Sequence, residues 1–126
     1  MSKKIISTKE APSAIGPYSQ AVLVNGTLYC SGQIAIDPST GELVQDGISS
    51  ETIQVMKNIA AVLKAADMDF SNVVKCSIFM SDMGYYTQIN DVYAQYFKEN
   101  PPAREAVAVK TLPKEVNVEI SVTAVK

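Results

Sequence analysis

The C-terminal part of the chain alternates between apolar and polar residues. A period of two is typical of a β-strand that places one face on a hydrophobic core. The apolar positions of this run are Val116, Val118, Ile120, Val122 and Ala124, and the intervening ones are Asn117, Glu119, Ser121 and Thr123. The pattern therefore predicts a strand from Val116 to Val125, with Glu119 on its less apolar face.

A helical period dominates the middle of the chain. Ser49 or Ser50 can cap a helix that reaches about Ala66. Its apolar face holds Thr52, Val55, Met56, Ile59, Val62, Leu63 and Ala66, and its polar face holds Gln54, Lys57, Asn58, Ala61 and Lys64. A second helix is predicted from about Met83 to Phe97, capped by Asp82, with its apolar face formed by Tyr86, Ile89, Tyr93, Tyr96 and Phe97.

The N-terminal third predicts a hairpin. Asn25-Gly26 is a strong signal for a type I′ turn, and it joins strand-like runs at 18–24 and 27–36. Gly32 inside the second arm indicates a bulge or a close backbone approach. A short edge strand is predicted at 4–7.

Two further strands are predicted around the second helix. The run from Val73 to Met80 is dense in apolar residues, so we expect it to be buried on both faces. The run from Ala103 to Val109 follows Pro101-Pro102, which prevents the helix from continuing.

This order of elements predicts a single α+β domain over residues 1–126. Both helices are expected to pack on one face of a mixed β-sheet. The opposite face carries valine, alanine and threonine among polar residues. A sheet with such an uncovered face invites self-association.

Composition excludes several kinds of chemistry. The 126 residues carry a net charge of −2 and no histidine, which argues against nucleic-acid binding and against histidine-based catalytic or zinc sites. The two cysteines are far apart, and each lies in an apolar run, so buried free thiols are expected. With no membrane-spanning stretch and no signal-peptide pattern, we expect a cytoplasmic protein.

A few polar residues stand where strands end or bend. Arg104 is the only arginine and begins a strand; its planar fork suits a carboxylate. Glu119 lies in mid-strand, where a carboxylate must be solvated, paired or facing a cleft. The other candidates are Tyr18, Ser31, Gly32 and Asn90. Each has a structural alternative, and an ion pair of Glu119 with Lys75 or Lys110 would be a sufficient one.

The motifs of the chain resemble those of the Rid (reactive intermediate deaminase) family, also called the YjgF family, and its RidA branch in particular. They follow the family's order and spacing over nearly the whole chain. They are Ile15-Gly16-Pro17-Tyr18-Ser19-Gln20-Ala21, Tyr29-Cys30-Ser31-Gly32-Gln33-Ile34, Asn90-x-x-Tyr93-x-x-Tyr96-Phe97, Pro102-Ala103-Arg104 and Leu112-Pro113-Lys114-x-x-x-Val118-Glu119-Ile120.

The resemblance implies a chorismate-mutase-like fold and a homotrimer with sites in the clefts between subunits. It implies hydrolysis of 2-imino acids such as 2-iminobutanoate and 2-iminopropanoate, without a cofactor or metal. Arg104 would bind the substrate carboxylate and Glu119 would hold or activate water. Tyr18 would be a third catalytic residue and would line the pocket with Ser31, Gly32 and Asn90. The backbone of Ala106 would contact the substrate.

Several residues depart from the family pattern, among them Pro101, Gly84-Tyr85-Tyr86 and Asp67, and two of the departures bear on the expected site. Glu105 adds a negative charge beside the expected anion site, although strand alternation turns its side chain away from that of Arg104. Ala106 stands where some relatives have cysteine, so only a backbone contact is expected there.

Three other functions stay open at this stage. One is a non-catalytic or regulatory trimer that binds small carboxylates. Another is the translation-inhibiting endoribonuclease activity for which family members have been named, against which the acidic charge balance argues. The third is a Schiff base on Lys75, in a strand whose burial could lower the pKa of the amine.

Overall fold

The computed structural model describes residues 2–126, which form one six-stranded sheet and two α-helices. In chain order the elements are β1 (Lys4–Ile6), β2 (Ala21–Val24), β3 (Thr27–Gln33), α1 (Ile48–Ala65), β4 (Val73–Met80), α2 (Tyr86–Ala94), β5 (Ala103–Ala108) and β6 (Val118–Val125). The order across the sheet is β1-β2-β3-β6-β4-β5, with β4 and β5 parallel and the other neighbours antiparallel.

The helices cover one face of this sheet. Helix α1 contacts β3, β6 and α2, and the inward side chains of both helices join those of the strands in one hydrophobic core. The alternation predicted for the last strand is confirmed, although β6 begins at Val118 and not at Val116. Val118, Ile120 and Ala124 are fully buried, and Val116 and Val122 nearly so. The protein therefore has the α+β, chorismate-mutase-like architecture that the element order and the motifs predicted.

The hairpin turn is confirmed at Asn25-Gly26. Both residues have positive φ, 50° and 78°, and Val24 pairs with Thr27 across the turn. The arms are shorter than predicted, because β2 begins only at Ala21 and β3 ends at Gln33. Tyr18 therefore lies in a loop rather than in a strand.

The predicted caps and polar face of α1 need correction. The helix begins at Ile48, one residue before Ser49, and Gly47 precedes it without a side-chain cap. Asn58, predicted on the polar face, is fully buried. Its amide donates to the carbonyls of Ile34 and Ile36, at 3.0 and 2.9 Å, and these long-range partners account for its burial.

Helix α2 is shorter than predicted. Residues 83–85 form a 3₁₀ turn, whose cap is Asp82 as expected, with its carboxylate accepting from the Gly84 amide at 2.7 Å. The α-helix then runs only from Tyr86 to Ala94.

The face of the sheet opposite the helices is open. Strand β4 buries Cys76, Ile78 and Met80 on the helix side, but its other face is partly exposed, so the prediction of burial on both faces is wrong for the chain by itself. Tyr29 and Ile5 on this side are 53% and 51% exposed. Among the described residues, no helix is long and apolar enough to cross a membrane.

Candidate functional site

Four of the predicted site residues line one cavity. Tyr18 reaches it from the loop before β2, Ser31 and Gly32 from the end of β3, and Glu119 from the start of the neighbouring β6. The cavity measures about 550 Å³. Its remaining wall combines the apolar Pro12, Ile15, Ile34, Ile36 and Pro113 with the polar Ser13, Gln20, Gln33 and Lys114. The hydrogen-bonded pairing of β3 with β6 brings these residues together although they are far apart in sequence.

The bulge predicted at Gly32 is present, and it brings the backbone close to Glu119. The register between β3 and β6 shifts between Cys30 and Gln33. A Cβ atom at Gly32 would lie 2.8 Å from Cδ of Glu119, closer than such atoms can approach. The neighbouring Ser31 hydroxyl donates to the Ser19 carbonyl at 2.6 Å, which ties the cavity floor to the Tyr18 loop.

Among the described residues, the Glu119 carboxylate has no cationic partner. Within residues 2–126 no basic nitrogen lies within 4.0 Å of it, and Lys75 pairs with Glu105 instead, at 2.7 Å. The structural alternative of an ion pair between Glu119 and Lys75 or Lys110 is therefore wrong. Partial burial raises the pKa of Glu119 above the usual value of a glutamic acid. An unpaired, partly desolvated carboxylate on a cavity wall can accept a proton from water.

Arg104 lies in a second cluster, on the helix side of the sheet. Its guanidinium donates to the Asn90 Oδ1 atom at 2.8 Å and to the Tyr86 hydroxyl at 2.7 Å. It also stacks near the ring of Tyr93, 4.9 Å from the ring centroid. These contacts hold the fork in one orientation, and its remaining N–H groups are free to bind a carboxylate. Within one chain, Asn90 therefore orients the Arg104 guanidinium and does not line the Glu119 cavity.

Tyr86 is a neighbour of Arg104 that motif reasoning missed. It was expected on the apolar face of α2, which it does share with Ile89 and Tyr93. The signal that could have identified it is its spacing, since Tyr86 precedes Asn90 by four residues and therefore lies on the same helix face.

The two clusters are separated within one chain. Phe79 of β4 pairs with Glu119, whereas Cys76 of β4 pairs with Arg104, so the two charged residues lie on opposite faces and three residues apart along β4. They are also two strands apart, which amounts to about 10 Å across the sheet and about 10 Å along it. A small molecule cannot contact both side chains in the same chain.

Glu105 and Ala106 are placed as strand alternation predicted. The Glu105 side chain lies on the open face, where it is bonded to Lys75 and to the Ser77 hydroxyl, and these partners lower the pKa of its carboxyl group. It therefore does not oppose Arg104 directly. Ala106 lies on the same face as Arg104, on the outer strand β5.

The remaining nucleophiles and ligands offer little alternative chemistry. Cys30 and Cys76 are buried free thiols, as predicted, and burial raises the pKa of Cys30 to about 12. Lys75 is about half exposed and ion-paired, so burial does not prepare it for a Schiff base. Across residues 2–126, no three acidic, cysteine or histidine side chains are grouped as metal ligands.

Fold and site together define a chorismate-mutase-like α+β protein with an unpaired glutamate in a cavity and a separately held arginine. A sequence model described as Endoribonuclease L-PSP matches residues 8–126. The chain belongs to this family, which is the Rid family that its motifs resemble.

Individual relatives agree with this assignment. A human protein named 2-iminobutanoate/2-iminopropanoate deaminase is 50% identical over 98% of this chain and 90% of its own, and its bovine counterpart of the same name is 52% identical over the same shares. The crystal structure of a Yersinia pestis protein, described as a protein of unknown function of the conserved Rid protein family, YyfA, has a TM-score of 0.95. It is 51% identical and covers 99% of this chain and all of its own.

Proposed function

We propose that this protein hydrolyses 2-imino acids, with 2-iminobutanoate and 2-iminopropanoate as substrates, to 2-oxo acids and ammonia. The observation that carries the proposal is the Glu119 carboxylate, which lies unpaired and partly desolvated beside Tyr18, Ser31 and Gly32. The deaminase names of relatives that are about 50% identical over nearly the whole chain support it.

The reaction requires no group beyond those in the chain. A water molecule attacks C2 of the protonated imine and forms a C–O bond, while Glu119 accepts a proton from that water. Glu119 then passes this proton to the nitrogen of the tetrahedral adduct. The C–N bond breaks, ammonia leaves, and the remaining hydroxyl loses its proton to ammonia, giving the 2-oxo acid and ammonium. The Tyr18 hydroxyl orients the water, and Ser31 and Gly32 shape the floor beneath it.

Arg104 binds the substrate carboxylate in this proposal. Its fork is held by Asn90 and Tyr86, so a carboxylate meets donors that are already oriented. Ala106 supplies a backbone contact two residues along β5. Binding the carboxylate fixes C2 relative to the water.

A second copy of the chain must complete the site. Because Arg104 and Glu119 lie on opposite faces, the arginine of one subunit has to meet the glutamate cavity of the next. A cyclic homotrimer has three such clefts, and the open face of the sheet, with its exposed apolar side chains, is a surface on which subunits can pack.

The activity is tested by trapping the imine. A dehydratase generates 2-iminobutanoate, an amine reagent captures it, and the purified protein is added. We expect the protein to suppress capture and to release 2-oxobutanoate faster. A protein that binds a carboxylate ligand without changing the rate of capture would be a binding module instead. Cleavage of RNA by the same preparation, insensitive to Arg104→Lys, would favour the endoribonuclease function.

Subunit mixing tests the shared site. Arg104→Ala and Glu119→Ala are each expected to be inactive. When both are co-expressed in equal amounts, about a quarter of the sites in a cyclic assembly receive an intact arginine and an intact glutamate, so about a quarter of the activity returns. An assembly in which both residues act within one chain would recover nothing.

A further inference from the structure

The loop that carries Tyr18 is closed by one buried side chain. Gln20 is 5% exposed, and its Oε1 atom accepts from the Thr8 amide at 2.7 Å. Its Nε2 atom donates to the carbonyls of Thr8, Ala11 and Pro12, at 3.0, 3.3 and 2.8 Å. The amide at the end of the loop therefore bonds the backbone at its beginning.

Gln20 also connects this loop to the floor of the cavity. Its backbone carbonyl accepts from the Ser31 amide at 2.9 Å, directly beside the bond from the Ser31 hydroxyl to Ser19. Gln20 is thus bonded both to the beginning of the loop and to Ser31, which lines the cavity beside Glu119.

The part of the loop beyond these bonds has few anchors. Ile15 is 84% exposed and Tyr18 is 55% exposed, and no strand or helix includes residues 7–20. Within residues 13–18 there is one backbone hydrogen bond, which the Tyr18 amide donates to the Gly16 carbonyl at 2.9 Å, and it closes a tight turn. Within one chain, the position of Tyr18 consequently depends on what fixes the base of the loop.

We propose that Gln20 is a positioning residue for the deaminase reaction, which holds Tyr18 against the Glu119 cavity by closing the 8–20 loop with its side-chain amide. The inference rests on the proposed function. Both Nε2 hydrogens are committed to backbone carbonyls, so Gln20 acts through Tyr18 and not by donating to the substrate.

The first test is a double-mutant cycle. Gln20→Met keeps the size of the side chain and removes its hydrogen bonds. We expect kcat to fall about 10-fold or more in the natural background, because small displacements of a reacting group are costly. In the Tyr18→Phe background the same change should have little further effect. Equal losses in both backgrounds would overturn the proposal, since they would mean that Gln20 does not act through Tyr18.

The second test measures the loop directly. The chain contains no tryptophan, so Ile15→Trp places a single fluorescent reporter at the exposed tip of the loop. We expect Gln20→Met to lower the fluorescence anisotropy of this reporter. Gln45→Met, an identical change at an exposed position, is the matched control and should leave both kcat and anisotropy unchanged. If Gln20→Met does not fold, Gln20→Asn keeps an amide that is too short to make all four bonds.

The two tests separate the possible failures. If the unsubstituted protein has no deaminase activity but the anisotropy still falls, the proposed function is refuted and the loop closure stands. If the protein is active and Gln20→Met changes neither kcat nor anisotropy, the positioning role is refuted and the proposed function stands.

Discussion

Gly32 and Glu119 lie so close together that a side chain at position 32 could not be added without moving the Glu119 carboxylate. A methyl group at Gly32 would lie 2.8 Å from Cδ and 3.1 Å from Oε2 of Glu119. The β-bulge in β3 creates this approach, and the absence of a side chain at Gly32 permits it.

Gly32→Ala should therefore impair activity more than stability. The added methyl group displaces Glu119, and we expect kcat/KM to fall by about 10²-fold, the effect of a misplaced catalytic group. Gly41→Ala is the matched control, because it strains a residue with φ of 77° but meets no atom within 4 Å. Combining Gly32→Ala with the shorter Glu119→Asp should recover part of the loss. A fully active Gly32→Ala enzyme would contradict the importance of this contact.

Glu119 should set the acid limb of the pH profile. The carboxylate must be ionised to accept a proton, and burial raises its pKa. As the pH is lowered, activity should therefore begin to decline at a pH above the pKa of an ordinary glutamic acid. Glu119→Gln should lower kcat by about 10²-fold or more and remove this limb. The acid limb is measured from profiles of kcat/KM against pH for the unsubstituted protein and for Glu119→Gln. An acid limb that persists unchanged in the residual activity of the glutamine variant would assign it to another group.

The same raised pKa predicts that Glu119 reduces stability at neutral pH. The folded state binds the proton more tightly than the unfolded state, so this group favours folding below the unfolded pKa and loses that contribution as pH rises through the folded pKa. Glu119→Gln should accordingly raise Tm at pH 7, and the difference should disappear in acid. The exposed Glu99→Gln serves as the control. A lower Tm at pH 7 for Glu119→Gln would be the contrary result.

Arg104→Lys should remove most of the activity while keeping the charge. An ammonium cannot donate in the fork geometry to a carboxylate and also keep the bonds to Asn90 and Tyr86. We expect kcat/KM to fall by about 10²-fold, consistent with the loss of a charge-assisted hydrogen bond of about 3 kcal/mol. Lys64→Arg on the exposed side of α1 is the control. Near-normal activity in Arg104→Lys would mean that a point charge is sufficient.

A stabilising substitution is expected at the end of α1. Asp67 has φ of 57°, and its amide donates to Lys64 while the Met68 amide donates to Leu63, the pattern of a Schellman cap. Asp67→Gly removes the strain and should increase the free energy of unfolding by about 1 kcal/mol, or Tm by about 4 °C. Asp67→Ala should do the opposite, because alanine tolerates this conformation less well. Thermal unfolding of the three proteins decides it.

Much of the architecture could be predicted because its causes are local. The alternation from Val116 to Val125 places Glu119 on the less buried face of a strand whatever its neighbours are. Asn25-Gly26 specifies a turn by its own φ preferences. The motifs identify the family through the order of their residues, and with it the fold.

The tertiary structure decided which residues meet. The burial of Asn58 and the loop closure by Gln20 depend on partners 8 to 24 residues away, which neither periodicity nor propensity can specify. The order of strands places Arg104 and Glu119 on opposite faces of one sheet, whereas the sequence suggested only that both belong to one site. A side-chain period indicates which face of its own element a residue occupies. Which other residues share that face is a consequence of long-range strand pairing and packing.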